Sequence, residues 1–230
     1  MSLSDAAKAQ LNTVSTATLT SQLLKRGFRN TFVSGCVPLC PQLRLLGYAF
    51  TLRYAPARED LDVNVDFDND TNVQRLAVEA IGPEEVLVID ARGELRAASF
   101  GHILMTRIKT RGAAGLVTDG ALRDTPAIAR LELPSYCRGS HATTSAVIHH
   151  PADMNVPIGC GGVLVMPGDV VVGDAEGVVV IPRVHAEDIA SAAYEQERLE
   201  EFVTAKVAGG AGIRGLYPPG HDVLEEFDAG

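Results

Sequence analysis

The stretch SFGHILMTRIKTRGAAGLVTDGALRD, residues 99–124, decides how this chain is read. Ser99, Phe100 and Gly101 read as a strand end and a turn. A helix is expected over 102–111, with Ile103, Leu104 and Ile108 as its apolar stripe at helical spacing. Gly112 stops it, and 114–118 reads as a short buried strand. Residues 119–124, DGALRD, read as a turn that places a guanidinium, Arg123, beside a carboxylate, Asp124. A helix start leaves backbone N–H groups open to an anion. An arginine forks onto a carboxylate, and an aspartate offers a hard oxygen to a magnesium-like cation. The set suits a small 2-oxo acid held on a divalent metal. Adjacent residues on one element point in different directions, so Arg123 and Asp124 are expected to act separately rather than as a mutual ion pair. Asp119 is expected to bond the backbone of its own turn.

Upstream, 4–11 is a plausible amphipathic helix, and Ser15-Thr16-Ala17-Thr18 caps a second one over 19–25, stopped by Gly27. A loop rich in Gly, Pro and Cys spans 35–41. Residues 43–54 alternate loosely and read as a strand that bends at Gly47. Glu59, Asp60, Asp62, Asp66, Asp68 and Asp70 crowd the next segment. The glycine and final glutamate of an EF-hand loop are missing, which makes it a solvated loop and helix start. A helix over 72–81, ended by Gly82-Pro83, precedes a buried strand over 85–90, EVLVID.

Downstream, the expected elements are a helix over 125–131 and strands over 134–138, 145–149, 157–165, 169–172 and 178–181. The turn Pro167-Gly168-Asp169 joins two of them, and Asp174 also reads as turn chemistry. A long helix runs over 185–207. The Gly- and Pro-rich tail, 209–230, carries an apolar anchor at Ile213, Leu216 and Tyr217. No repeat or linker divides the chain, so 1–230 reads as a single domain with N-terminal helices and a C-terminal helical extension and tail. Mixed elements of this order imply helices covering sheets, an α/β class.

The 230 residues, 46% of them hydrophobic, suffice for a sizeable core, and the net charge of −9 argues against non-specific nucleic-acid binding. Cys36, Cys40, Cys137 and Cys160 lack the paired spacing of a zinc site and read as buried free thiols. His149 and His150 are neighbours on a strand, face opposite ways and make a poor metal pair. No signal peptide opens the sequence, and no window approaches the roughly 20 apolar residues of a membrane span. A soluble, cytoplasmic protein without membrane contact is the expectation.

These pieces resemble the RraA-like family, which includes the 4-hydroxy-4-methyl-2-oxoglutarate aldolases and the regulators of ribonuclease E activity. The resemblance rests on Ser15-Thr16-Ala17-Thr18 with Leu23 and Gly27, Gly47-Tyr48-Ala49-Phe50-Thr51, and Gly101 to Leu104. It continues through GAAGLVTDG at 112–120, Arg123-Asp124, Pro157-Ile158, Gly161-Gly162-Val163, Pro167-Gly168-Asp169, Asp174 and GVVVIP at 177–182. It covers about residues 15–200 and is more specific for the family than for one activity.

The resemblance implies an α/β/β/α sandwich of swivelling-domain-like topology, assembled as a trimer or hexamer with sites between neighbours. It implies a class II, metal-dependent pyruvate aldolase, with oxaloacetate decarboxylation as a companion or replacement activity. Arg123 would bind the carboxylate or oxo region, Asp124 would ligate Mg²⁺ or Mn²⁺, and Gly101, His102, Ile103 and Leu104 would contact substrate, largely through their backbone. Glu197, Glu200 or Glu201 of a neighbour would complete the metal's water shell. Where the aldolases carry an acid after the glycine, this chain has His102, which moves protons near neutral pH but adds no negative charge. The alternative implied is a non-catalytic protein that masks ribonuclease E.

Overall fold

The computed structural model describes residues 2–62 and 70–229. In chain order the elements are α1 (Asp5–Leu11), α2 (Thr16–Lys25), β1 (Val37–Pro38), β2 (Leu45–Pro56), α3 (Val73–Ala80), β3 (Glu85–Asp90), β4 (Ala98–Phe100), α4 (His102–Thr110), β5 (Gly115–Thr118), β6 (Ala121–Leu122) and α5 (Thr125–Ala129). There follow β7 (Ser135–Cys137), β8 (Gly139–Ser140), β9 (His149–Met154), β10 (Ile158–Cys160), β11 (Val163–Val165), β12 (Val170–Gly173), β13 (Val178–Ile181), α6 (Ala186–Ala208) and α7 (His221–Ala229). The early helices begin where a short polar side chain can take an unbonded N–H. Ser4 accepts from Ala7 N, Ser15 from Thr18 N and Asn72 from Arg75 N.

The main sheet runs β1-β7-β5-β3-β2-β12-β13, with β9 beside the far end of β2. β2, β3, β5 and β7 are parallel neighbours, and β12 and β13 join antiparallel. Alternation along β3 sends Leu87 and Ile89 to one face and Val86 and Val88 to the other. The first face packs, with Leu116, against Val78, Met105, Ile108 and Ile128 of α3, α4 and α5. The second meets Val171, Val178 and Val180, because the sheet curls over, together with Ile158, Val163 and Val165 of the β10–β11 hairpin. The outward faces of β12 and β13, Val170, Val172, Val179 and Ile181, are covered by Leu11, Leu19, Leu23, Ile189 and Ala193 of the terminal helices. Four layers result, helices outside and strands inside, in an α/β fold. The expected bend at Gly47 is a close approach: a Cβ there would lie 2.5 Å from Glu84 O.

Four local expectations change. Residues 119–124 are not one turn, since Ala121 and Leu122 form β6, held between β4 and β8 by parallel pairing. The segment 145–149 begins as a 3-10 turn, Ser145–Val147, and the strand starts at His149. Among the described residues that strand pairs only with β2, an edge position that tolerates Pro151. Among the described residues of the tail only Leu216 is buried, while Ile213 and Tyr217 are exposed. The tail's order comes instead from α7, whose Phe227 ring lies 5.6 Å from that of Phe202 and whose Glu226 pairs with Lys206 at 2.6 Å. Of the acidic segment, Asp60 pairs with Arg58 and Asp62 with His150; Asp66 and Asp68 lie outside the described residues. Cys36, Cys137 and Cys160 are buried free thiols, and Cys40 is a half-buried one.

Candidate active site

The small parallel sheet builds the site. Ala98 pairs with Ala121 and Phe100 with Leu122, and Arg123 N donates to Phe100 O at 3.0 Å. The two strands therefore end side by side, one turning into α4 at Gly101 and the other into α5 at Asp124. Gly101 caps α4 with no side chain. A Cβ on it would sit 3.0 Å from Arg123 Cγ, 3.2 Å from Arg123 Cδ and 3.4 Å from Asp124 Oδ2. Glycine is what lets the two strand ends approach.

Asp124 adopts φ 60° and ψ 29°, a left-handed conformation that aspartate tolerates better than most residues. That geometry turns its carboxylate back onto its neighbour, with Arg123 Nε 3.4 Å from Asp124 Oδ2. The expectation that the two side chains act apart is thus corrected: they form one charged unit, each about two-fifths exposed. His102 N also points at Asp124 Oδ2, at 3.4 Å. The first backbone bond inside α4 is Met105 N to Gly101 O, which leaves Ile103 N and Leu104 N without acceptors within the helix.

A cavity of about 220 Å³ opens over this point. Gly101, His102, Ile103, Leu104, Arg123 and Asp124 all line it, so the six predicted site residues come together. The Ile103 side chain is exposed and that of Leu104 packs on the core. Sequence reasoning missed Gln74, Arg75, Thr144 and Ser145, which line the same cavity. The cap at Asn72 marked the start of α3, but nothing local said that its first turn faces Gly101. Glu197, Glu200 and Glu201 line a separate groove beside Ser15 and Thr18, and Glu197 Oε1 accepts from Ser15 N at 2.7 Å. Within one chain they do not reach the cavity.

Beneath the site, Asp119 is buried and accepts from Ala91 N at 2.7 Å, Gly93 N at 3.0 Å and Gly161 N at 3.4 Å. It ties two other loops to β5, a wider role than bonding its own turn. Burial pushes its carboxyl up from the usual carboxylate range, against those backbone bonds. Asp174 likewise reaches beyond its turn, accepting from Thr16 N and Thr16 Oγ1 at the start of α2.

Among the described residues no group of three His, Cys, Asp or Glu side chains is placed to hold a metal. A cation in this cavity would have Asp124 as its carboxylate from this chain. That donor set fits magnesium, which commonly keeps several waters and takes one or two carboxylates plus substrate oxygens. Asp124 is half-exposed, and its two contacts are long, so its oxygens face the cavity.

A family model described as RraA-like, aldolase/RraA, matches residues 3–180. The chain belongs to the RraA-like family. A putative 4-hydroxy-4-methyl-2-oxoglutarate aldolase of Halalkalibacterium halodurans is 42% identical to this RraA-like chain over 119 residues, covering 52% of the chain and 56% of that relative. The chain therefore spans little more than half the length of that curated relative. RraAS2 of Streptomyces coelicolor, described as an unusual member of the RNase ES inhibitor RraA protein family, is 33% identical with a TM-score of 0.78. That match covers 88% of this chain and 97% of RraAS2. An uncharacterised protein of Pseudomonas syringae shares the fold at TM-score 0.80, with 22% identity over 94% of this chain and 99% of its own. In this RraA-like chain no helix of the described residues is long and apolar enough to cross a membrane.

Proposed function

We propose that the cavity is the active site of a divalent-metal-dependent lyase that cleaves a small 2-oxo acid, by aldol cleavage or decarboxylation, and releases pyruvate. The observation that carries this reading is the convergence of Arg123, Asp124 and the open N–H groups of α4 at one point. The aldolase names of the relatives agree with it.

Asp124 would hold the cation, Mg²⁺ or Mn²⁺, which when bound polarises the 2-oxo group as a Lewis acid. Ile103 N and Leu104 N hold the substrate carboxylate at the positive end of α4. Arg123 donates to the 2-oxo oxygen and gains strength as that oxygen acquires enolate charge. His102 serves as base and then acid. In aldol cleavage it takes the proton of the C4 hydroxyl, and the C3–C4 pair passes into the enolate as a carbonyl product departs. It then returns the proton to C3, giving pyruvate. Decarboxylation of oxaloacetate uses the same enolate, with CO₂ leaving in place of the carbonyl product. Assembly as a trimer or a multiple of three, with sites at subunit boundaries, is part of the proposal.

The likeness to RraAS2 supports a second reading, a protein that binds a ribonuclease of the E type without chemistry of its own. Pyruvate release from oxaloacetate or 4-hydroxy-4-methyl-2-oxoglutarate, with and without magnesium, separates the two.

A further inference from the structure

The strand that carries Gly101 is irregular two residues before it. Ala98 pairs with Ala121 and Phe100 with Leu122, so two steps along β4 match one along β6, and Ser99 is the extra residue. A bulge of this kind bends its strand and re-aims the chain beyond it. Beyond it lie Phe100 and then Gly101, the cap from which α4 starts. The direction of that start sets where Ile103 N and Leu104 N point, and it brings His102 N to 3.4 Å from Asp124 Oδ2.

Ser99 is fully buried, and its polar atoms are held from two sides. Its hydroxyl donates to Ala121 O at 3.0 Å and lies 3.1 Å from Thr118 Oγ1. Its carbonyl accepts from Tyr54 Oη at 2.9 Å and from Gln74 Nε2 at 3.0 Å. Gln74 Nε2 also donates to Tyr54 Oη at 2.5 Å, which closes a triangle of three polar groups. At a buried carbonyl no water replaces a lost donor. Burial pushes the pKa of the Tyr54 phenol up, so it keeps its proton and remains a donor.

Gln74 lines the cavity, but Tyr54 does not. Tyr54 is 3% exposed, is not among the described residues of the lining, and has its ring against that of His149, 5.0 Å away. Any effect it has on the site passes through the Ser99 carbonyl.

We propose that Tyr54 is a positioning residue: with Gln74 it clamps the Ser99 carbonyl at the bulge and so fixes the angle at which α4 leaves β4. This rests on the reading of the open N–H groups of α4 as the holder of the substrate carboxylate.

The test joins amide hydrogen exchange to kinetics in the full chain. Met105 N bonds to Gly101 O and Arg123 N to Phe100 O, so these two amides report on the turn. In Tyr54→Phe both should exchange about tenfold faster, the worth of one lost hydrogen bond, while Leu19 N in α2 should not change. Pyruvate release in magnesium should fall about 10- to 100-fold in kcat/KM, as expected for a misplacement of under an ångström or so. The pH–rate profile should keep its shape, because Tyr54 moves no proton. Gln74→Met strips the other donor from the same carbonyl and should speed the same two amides, which keeps the clamp open to test if Tyr54→Phe does not fold. Ile181→Val, a core change under the terminal helices, is the control for lost stability and should leave both readouts unchanged. Unchanged exchange at Met105 and Arg123 overturns the clamp. Faster exchange with undiminished kcat/KM, a lost limb of the pH profile, or an equal loss in Ile181→Val overturns the positioning role. A wild type that releases no pyruvate overturns the functional reading and the positioning role with it, while the exchange rates still decide whether the clamp exists.

Discussion

Arg123 Nε lies 3.4 Å from Asp124 Oδ2 although the two residues are adjacent in sequence. The left-handed backbone at Asp124 makes this possible by turning the carboxylate back over Gly101. Strain of this kind is common at functional sites and is held by the surrounding structure. It also separates chemistry from stability at a single position. Asp124→Ala and Asp124→Gly should both lose metal-stimulated turnover, by at least about 100-fold if the cation polarises the 2-oxo group. Glycine relaxes the left-handed conformation and alanine does not, so the glycine variant should be about 1 kcal/mol the more stable. Denaturant unfolding of the pair checks this; equal stability would mean the conformation carries no strain.

Gly101→Ala tests the close approach. Its φ of −140° permits any residue, so the effect is steric rather than torsional. The added methyl meets Arg123 Cγ at 3.0 Å and must push the guanidinium aside. Turnover should fall about 10- to 100-fold, as expected for a misplacement of under an ångström or so, with the far-UV circular dichroism unchanged. Undiminished kcat would show that Arg123 is not held by this contact.

His102→Gln addresses proton transfer. If His102 is the base, kcat should drop by about 10²- to 10⁴-fold with pyruvate affinity retained. A change confined to KM would make the ring a pocket wall instead. His102→Asp places an acid after the glycine, as in the aldolases this chain resembles, and a gain of aldol cleavage there would show that the rest of the site is intact.

His149 gives a stability prediction independent of catalysis. It is 1% exposed, its ring lies 5.0 Å from that of Tyr54, and its Nδ1 is 3.3 Å from the Arg92 guanidinium. Burial, with help from Arg92, pulls its pKa down to about 4. Between that value and the ordinary histidine value of about 6.5 the unfolded chain binds the extra proton and the folded one does not, so stability falls as pH drops through this window. Tm measured from pH 7 to pH 4 should decline. His149→Phe, which keeps the ring against Tyr54, should flatten that decline. An equal slope in both proteins would assign the acid sensitivity to other groups.

The parts of the site legible in the sequence were the local ones. Gly101 to Leu104 and Arg123-Asp124 each declare themselves by a helix start or a charged pair at a strand end. β6 was hidden because a two-residue strand has no periodicity of its own, and its register comes from β4 on one side and β8 on the other. Gln74 and Arg75 were hidden for a similar reason: their relation to Gly101 is made by α3 packing beside α4, not by any spacing. The layers were legible because the apolar runs inside EVLVID and GVVVIP read as strands buried on both faces, β3 within the main sheet and β13 at its end under the terminal helices, whereas the tail misled because α7 is held by Phe202 and Phe227 rather than by the apolar residues before it.

Release of pyruvate from oxaloacetate and from 4-hydroxy-4-methyl-2-oxoglutarate, followed in magnesium and then in excess EDTA, tests the central claim most directly. The account predicts turnover of at least one of these acids in magnesium, its loss in EDTA, its return with added Mg²⁺ or Mn²⁺, and none of these in Asp124→Ala. Turnover that persists undiminished in EDTA, or a wild-type protein that releases no pyruvate from either acid, would contradict it.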